Sequence, residues 1–168
     1  MSTQFRAQPG RPRPDTPLSI LVCGGAGYIG SHTCVVLAER GHRLVIADNL
    51  CNASPAVAQR LEELVRAPVD LRCLDIRDRD GMARLFASER FDAVVHFAAL
   101  KAVGESCERP LEYFDNNIGG TITLLQAMQA AGVRRFVFSS SATVYGTPER
   151  LPVGEGAALG VTNPYGRT

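Results

Sequence analysis

Leu18-Ser19-Ile20-Leu21-Val22-Cys23-Gly24-Gly25-Ala26-Gly27-Tyr28-Ile29-Gly30 is the stretch that decides the fold. Its first six residues, apolar but for Ser19, read as a buried strand. Glycines follow at once, and a helical pattern then runs over 28–40 until Gly41 closes it. Gly24, Gly25 and Gly27 keep the turn tight. Gly25 and Gly27 let backbone approach a pyrophosphate, and Gly30 lets the helix lie against the sheet. The helix N-terminus would present free N–H groups to the phosphates. A glycine pattern alone also suits a purely structural turn. Strand before, helix after and an acid farther on single out a dinucleotide site.

That acid is Asp48, at the end of a second strand over 44–47. A carboxylate there accepts hydrogen bonds from the adenosine ribose hydroxyls. A 2′-phosphate would meet a like charge with no arginine in the following ten positions to offset it, so NAD is expected rather than NADP. The alternative, that Asp48 caps a turn with Asn49, stays open.

Farther along, strands and helices keep alternating. An amphipathic helix over 55–66 carries Val57, Leu61, Leu64 and Val65 on one face, and a third strand covers 69–74. A helix over 80–90, a fourth strand over 93–97, a long helix over 111–131 ended by Gly132, and a fifth strand over 136–138 complete the series. This order predicts an α/β, Rossmann-type, doubly wound parallel sheet with ligands at the carboxyl ends of its strands. Residues 1–17, in which prolines alternate with arginines and no apolar face recurs, read as a disordered leader, and 18–168 as one domain.

Composition narrows the classes. The 168 residues are 45% hydrophobic and 21% charged with a formal net charge of +1, so nothing electrostatic points to nucleic acid or to an anionic membrane. No apolar run approaches the length of a bilayer span. Cys23, Cys34, Cys51, Cys73 and Cys107 fit neither a CxxC pair nor a zinc spacing, and read as buried or half-buried thiols of a reducing cytoplasm. His32, His42 and His96 are too scattered to predict a metal site.

Gly24, Gly27 and Gly30 also satisfy the Gly-x-x-Gly-x-x-Gly spacing of the extended short-chain dehydrogenase/reductases. GGAGYIGSHT from Gly24, DNLCN from Asp48, Asp75-Ile76, FAALKAVGES from Phe97, PLEYFDNN from Pro110, SSSATVYG from Ser139 and NPYG from Asn163 together resemble the UDP-glucose 4-epimerases over 18–168. The resemblance implies that Tyr28 and Ile29 flank the pyrophosphate, that Asp48, Asn49 and Asn52 hold the adenosine ribose and its surroundings, and that Asp75 and Ile76 meet the adenine. It places Phe97, Ala98 and Lys101 along the nicotinamide, with Asn116 beneath. Cys23 and Ala99 stand where threonine and glycine are commoner. Ala53 replaces a serine, which implies the loss of one phosphate contact.

By the same resemblance, Ser141 is the hydrogen-bonding serine and Tyr165 the acid/base. Removing a hydride from a sugar C4 requires its hydroxyl to lose a proton. A tyrosinate suits that task only if its pKa falls well below the free value of about 10. The family supplies the needed cation from a lysine four residues after the tyrosine, beyond Thr168; Arg167 falls on another helix face. The smaller C-terminal substrate domain is absent as well, so the chain as written is expected to be inactive although its family is that of an isomerase. The family's dimerisation through two helices implies a homodimer, and its partner molecule is a UDP-hexose. Two alternatives remain. A related nucleotide-sugar dehydratase would need an Asp-Glu pair where Ala142-Thr143-Val144 stands, and a non-catalytic NAD-binding remnant would suit the missing lysine.

Overall fold

A computed structural model describes residues 16–168, so most of the expected 1–17 leader lies outside the described residues. Five strands, β1 (Ser19–Cys23), β2 (Arg43–Asp48), β3 (Asp70–Cys73), β4 (Ala93–His96) and β5 (Arg135–Phe138), form one sheet in the order β3-β2-β1-β4-β5. Every neighbouring pair is parallel, as the alternation of strand and helix predicts. The chain winds outward from β1 to β3 and then crosses back to β4. The reversal between β1 and β4 opens a crevice at the carboxyl ends of both strands.

The helices are α1 (Tyr28–Glu39), α2 (Ala56–Val65), α3 (Arg79–Ser88), α4 (Val103–Glu108), α5 (Pro110–Tyr113), α6 (Gly120–Ala130) and α7 (Pro164–Arg167). Alternate residues of the strands feed two cores. Leu21, Val45 and Ala47 pack with Met82, Leu85 and Phe86 of α3 and Leu124 and Met128 of α6. Ile20, Val22 and Ile46 pack on the other face with Cys34 of α1 and Leu61 of α2. Local chemistry sets the helix ends. The Asp78 carboxylate accepts from the Gly81 N–H at 2.9 Å to start α3. Gly41, at φ 86°, turns the chain out of α1 while its N–H donates to the Ala38 carbonyl at 2.8 Å.

Several expectations need correction. Leu64 does not share the buried face of α2; it is exposed, while Leu61 is buried and Val57 packs, partly buried, against the same core. The long helix over 111–131 is a composite of α5, a π-helical stretch Phe114–Gly119 and α6, preceded by the separate short helix α4. Cys23 and Cys34 are buried as expected, and burial pushes both thiols up to about 12, so they act as apolar filler. Cys51, Cys73 and Cys107 are instead exposed, lying on a cleft loop, at the end of edge strand β3 and on α4.

Candidate functional site

The glycine turn is built by close approach. Gly24 adopts φ 76°, and a Cβ there would lie 2.5 Å from the Ala98 backbone nitrogen, so only glycine lets the β1 and β4 loops meet. A Cβ on Gly30 would strike the Gly24 carbonyl and stand 2.8 Å from the Gly25 Cα, which confirms that Gly30 sets how near α1 comes to the turn. Gly25 differs from expectation: its Cβ would lie 2.8 Å from Ile46 Cγ2, and it does not line the cleft. Its smallness serves the core. Gly27 does line the cleft, and the one heavy atom near a Cβ there would be the Gly24 carbonyl oxygen at 3.4 Å. No side chain among the described residues caps α1, so its first N–H groups face the cleft without a protein acceptor.

A cleft of about 480 Å³ opens over this turn. It gathers nearly every residue expected in a site: Gly24, Gly27, Tyr28, Ile29, Gly30, Asp48, Asn49, Asn52, Ile76, Phe97, Ala98, Lys101, Asn116, Ser141 and Tyr165. Asp48 is buried at the end of β2, and its two oxygens accept from the Ala26 N–H at 3.0 Å and the Leu50 N–H at 2.9 Å. The turn-capping role left open for it is therefore real, and it coexists with a cleft position. Each oxygen keeps a second lone pair for a ligand hydroxyl.

Asp75 is the exception, for it does not line the cleft. Its Oδ1 accepts from the Arg77 backbone N–H (2.9 Å) and Nε (3.0 Å), and its Oδ2 from Arg77 Nη2 (2.8 Å) and Asn49 Nδ2 (2.9 Å). All four acceptor positions are engaged by Arg77 and Asn49. The Arg77 guanidinium holds the carboxyl well below the ordinary carboxylate range. Asp75 thus orients Asn49, which does reach the cleft.

At the opposite end, Ser141 starts a 3₁₀ turn, Ala142–Tyr145, and its Oγ accepts from the Thr143 backbone N–H (3.3 Å) and hydroxyl (3.0 Å). With both lone pairs engaged, the serine is left as a donor. Tyr165 is well placed within the one-turn helix α7. Asn163 Oδ1 caps that turn by accepting from the Gly166 N–H at 2.8 Å, and the Tyr165 ring stands edge-on to Tyr113 at 6.3 Å. Asn116 donates to Asn117 Oδ1 at 2.9 Å, leaving its own side-chain oxygen without a partner among the described residues. The sequence reading missed the cleft contributions of Cys51, Leu74, Ser139 and Ser140. Ser139-Ser140 sat beside a chosen serine and could have been included; Leu74 and Cys51 carry no signal of their own.

The donor set and the glycine cradle fit a dinucleotide. A backbone approach and an uncapped helix N-terminus suit a pyrophosphate, a carboxylate with spare lone pairs suits a ribose, and a serine–tyrosine pair closes the far end. Comparison with known proteins agrees. The model of the NAD dependent epimerase/dehydratase family matches residues 20–168. "UDP-glucose 4-epimerase 1" of Oryza sativa subsp. japonica is 54% identical over 153 residues, covering 89% of this chain and 43% of the relative. The Bacillus subtilis UDP-glucose 4-epimerase is 50% identical over 151 residues, covering 90% and 44%. A crystal structure of the Stenotrophomonas maltophila UDP-glucose-4-epimerase, with bound NAD and formylated UDP-arabinopyranose, superposes with a TM-score of 0.86 at 53% identity over 89% of this chain and 45% of that one. The chain spans less than half the length of these relatives.

Proposed function

The chain belongs to the NAD dependent epimerase/dehydratase family, and we propose that it binds NAD for the interconversion of UDP-glucose and UDP-galactose at the sugar C4. What carries the reading is that one cleft joins the glycine turn and Asp48 to Ser141 and Tyr165. Relatives at 50% identity or more named for this activity support it. The turn from Gly24 to Gly30 would receive the pyrophosphate, Asp48 and Asn49 the adenosine ribose, and Ile76 the adenine face. Phe97, Ala98, Lys101 and Asn116 would border the nicotinamide.

NAD, when bound, would supply the hydride acceptor for the sugar C4. The protein's part is proton management. Tyr165 takes the proton of the 4-hydroxyl and gives it back, while the Ser141 hydroxyl donates a hydrogen bond to the same oxygen. No carboxylate stands in the 3₁₀ turn after Ser141, where dehydration would need one. The test is calorimetric titration with NAD, followed by assay of UDP-galactose conversion with the chain and with the longest product of its gene. Tyr165→Phe should leave NAD binding intact and lower conversion by roughly a hundred- to ten-thousandfold. Conversion that survives this change would remove Tyr165 from the mechanism.

Two further parts of the reading are proposals of the same kind. Leu111, Phe114, Ile118, Ile122 and Leu125 recur every three or four residues along Pro110–Ala130 and are all exposed, which supports burial against a second copy. Five thiols with no disulfide support a reducing, cytoplasmic location, and no helix among the described residues is long and apolar enough to cross a membrane.

A further inference from the structure

Tyr113 is fully buried at the end of α5, yet its hydroxyl has two partners. It donates to Glu105 Oε2 at 2.7 Å and accepts from the Ala102 N–H at 3.0 Å. One turn farther on, Asn117 accepts from the Leu100 N–H and donates to the Leu100 carbonyl, both at 2.9 Å. Lys101 therefore sits between two residues whose backbone is tied down. Both anchors also reach α7 or the residue that caps it, Thr168. The Tyr113 ring meets the Tyr165 ring at a centroid distance of 6.3 Å and an interplanar angle of 69°, and Asn117 Nδ2 donates to Thr168 Oγ1 at 2.9 Å. Burial, with the Glu105 carboxylate second, pushes the Tyr113 phenol up to about 12, so it stays protonated and is no rival acid/base to Tyr165.

We propose that Tyr113 is a positioning residue that sets Lys101 and Tyr165 against each other at the nicotinamide end of the cleft, through its hydroxyl on one side and its ring on the other. The proposal rests on the dinucleotide reading of the cleft. Its reach is local: no hydrogen bond of the glycine turn or of Asp48 goes to Tyr113 or Ala102 among the described residues. Loss of the hydroxyl should therefore be felt by a ligand carrying nicotinamide and ignored by one that stops at the second ribose.

The experiment compares NAD with ADP-ribose by calorimetric titration of the full chain, wild type against Tyr113→Phe, which keeps the ring and releases the Ala102 N–H and Glu105. The expected result is a five- to tenfold weaker affinity for NAD with that for ADP-ribose unchanged. A purely structural role would weaken both alike, and that result, or no change in either, overturns the proposal. Wild-type chain that binds neither ligand overturns the reading of the cleft, and the proposal with it. Should Tyr113→Phe fail to fold, Glu105→Ala on the surface of α4 removes the acceptor alone. A NAD-selective loss of about twofold supports the proposal there, and its absence overturns it.

Discussion

Asp48 steadies the glycine turn with one oxygen and the turn after β2 with the other, so its carboxylate is aimed before any ligand arrives. Asp48→Ala should weaken NAD binding about ten- to a hundredfold, the worth of hydrogen bonds to a charged group. NADP, whose 2′-phosphate this carboxylate repels, should lose far less. Paired titrations with both dinucleotides check this, and equal losses would sink the assignment. His96 sets a different constraint. The Thr121 hydroxyl donates to the Asn117 carbonyl at 2.5 Å, so it must accept from His96 Nε2–H at 2.9 Å. Nδ1 is then a bare acceptor, and among the described residues it is the one buried side-chain polar atom without a partner. Burial pushes this imidazole down to about 4 from 6.5. Below pH 6.5 the unfolded chain takes up a proton that the folded chain refuses. The contribution is therefore fully present above 6.5 and lost as pH falls toward 4. Urea unfolding should show a loss of about 2 kcal/mol between pH 7 and pH 5. His96→Gln should flatten that slope; an unchanged slope would assign it elsewhere.

At the scale of elements, α1 is held close to β1 by Gly30, since a methyl there would press on the Gly24 carbonyl. Gly30→Ala should cost about 1–3 kcal/mol, the usual penalty of overpacking, and should tilt the helix N-terminus away from the cleft. Denaturant midpoints and NAD titration report the two effects separately; NAD affinity untouched by a real loss of stability would show that the helix end does not hold the phosphates. Much of this was legible in the sequence because strand, turn and helix signals agreed. β1, α1 and the Gly41 stop fall within a residue of expectation. The parts that escaped depend on contacts made across the fold. The π-helical stretch at Phe114–Gly119 leaves no mark on local periodicity, while Gly25 serves Ile46 on β2 and Asp75 accepts from Asn49, 26 residues before it. For Gly25 and Asp75 the protein partner is chosen by the tertiary structure, and residue type alone does not reveal it. Tyr165 lies only three residues from Thr168, where local sequence offers little to hold it. The Asn163 cap and the Tyr113 ring fix it instead.

Across the whole molecule, the exposed stripe from Leu111 to Leu125 predicts self-association. Light scattering should report twice the chain mass, and Ile122→Glu should return it to one chain without lowering NAD affinity. A monomeric wild type would refute the dimer. The strand order has its own consequence. β1 lies between β2 and β4, and the Ser19 N–H donates to the Asp92 carboxylate 73 residues downstream. During synthesis, at about 5 to 20 residues per second, that partner leaves the ribosome roughly 4 to 15 seconds after β1 does. For that interval one edge of the Ser19–Cys23 strand stands open on the growing chain, a natural client for a ribosome-associated chaperone.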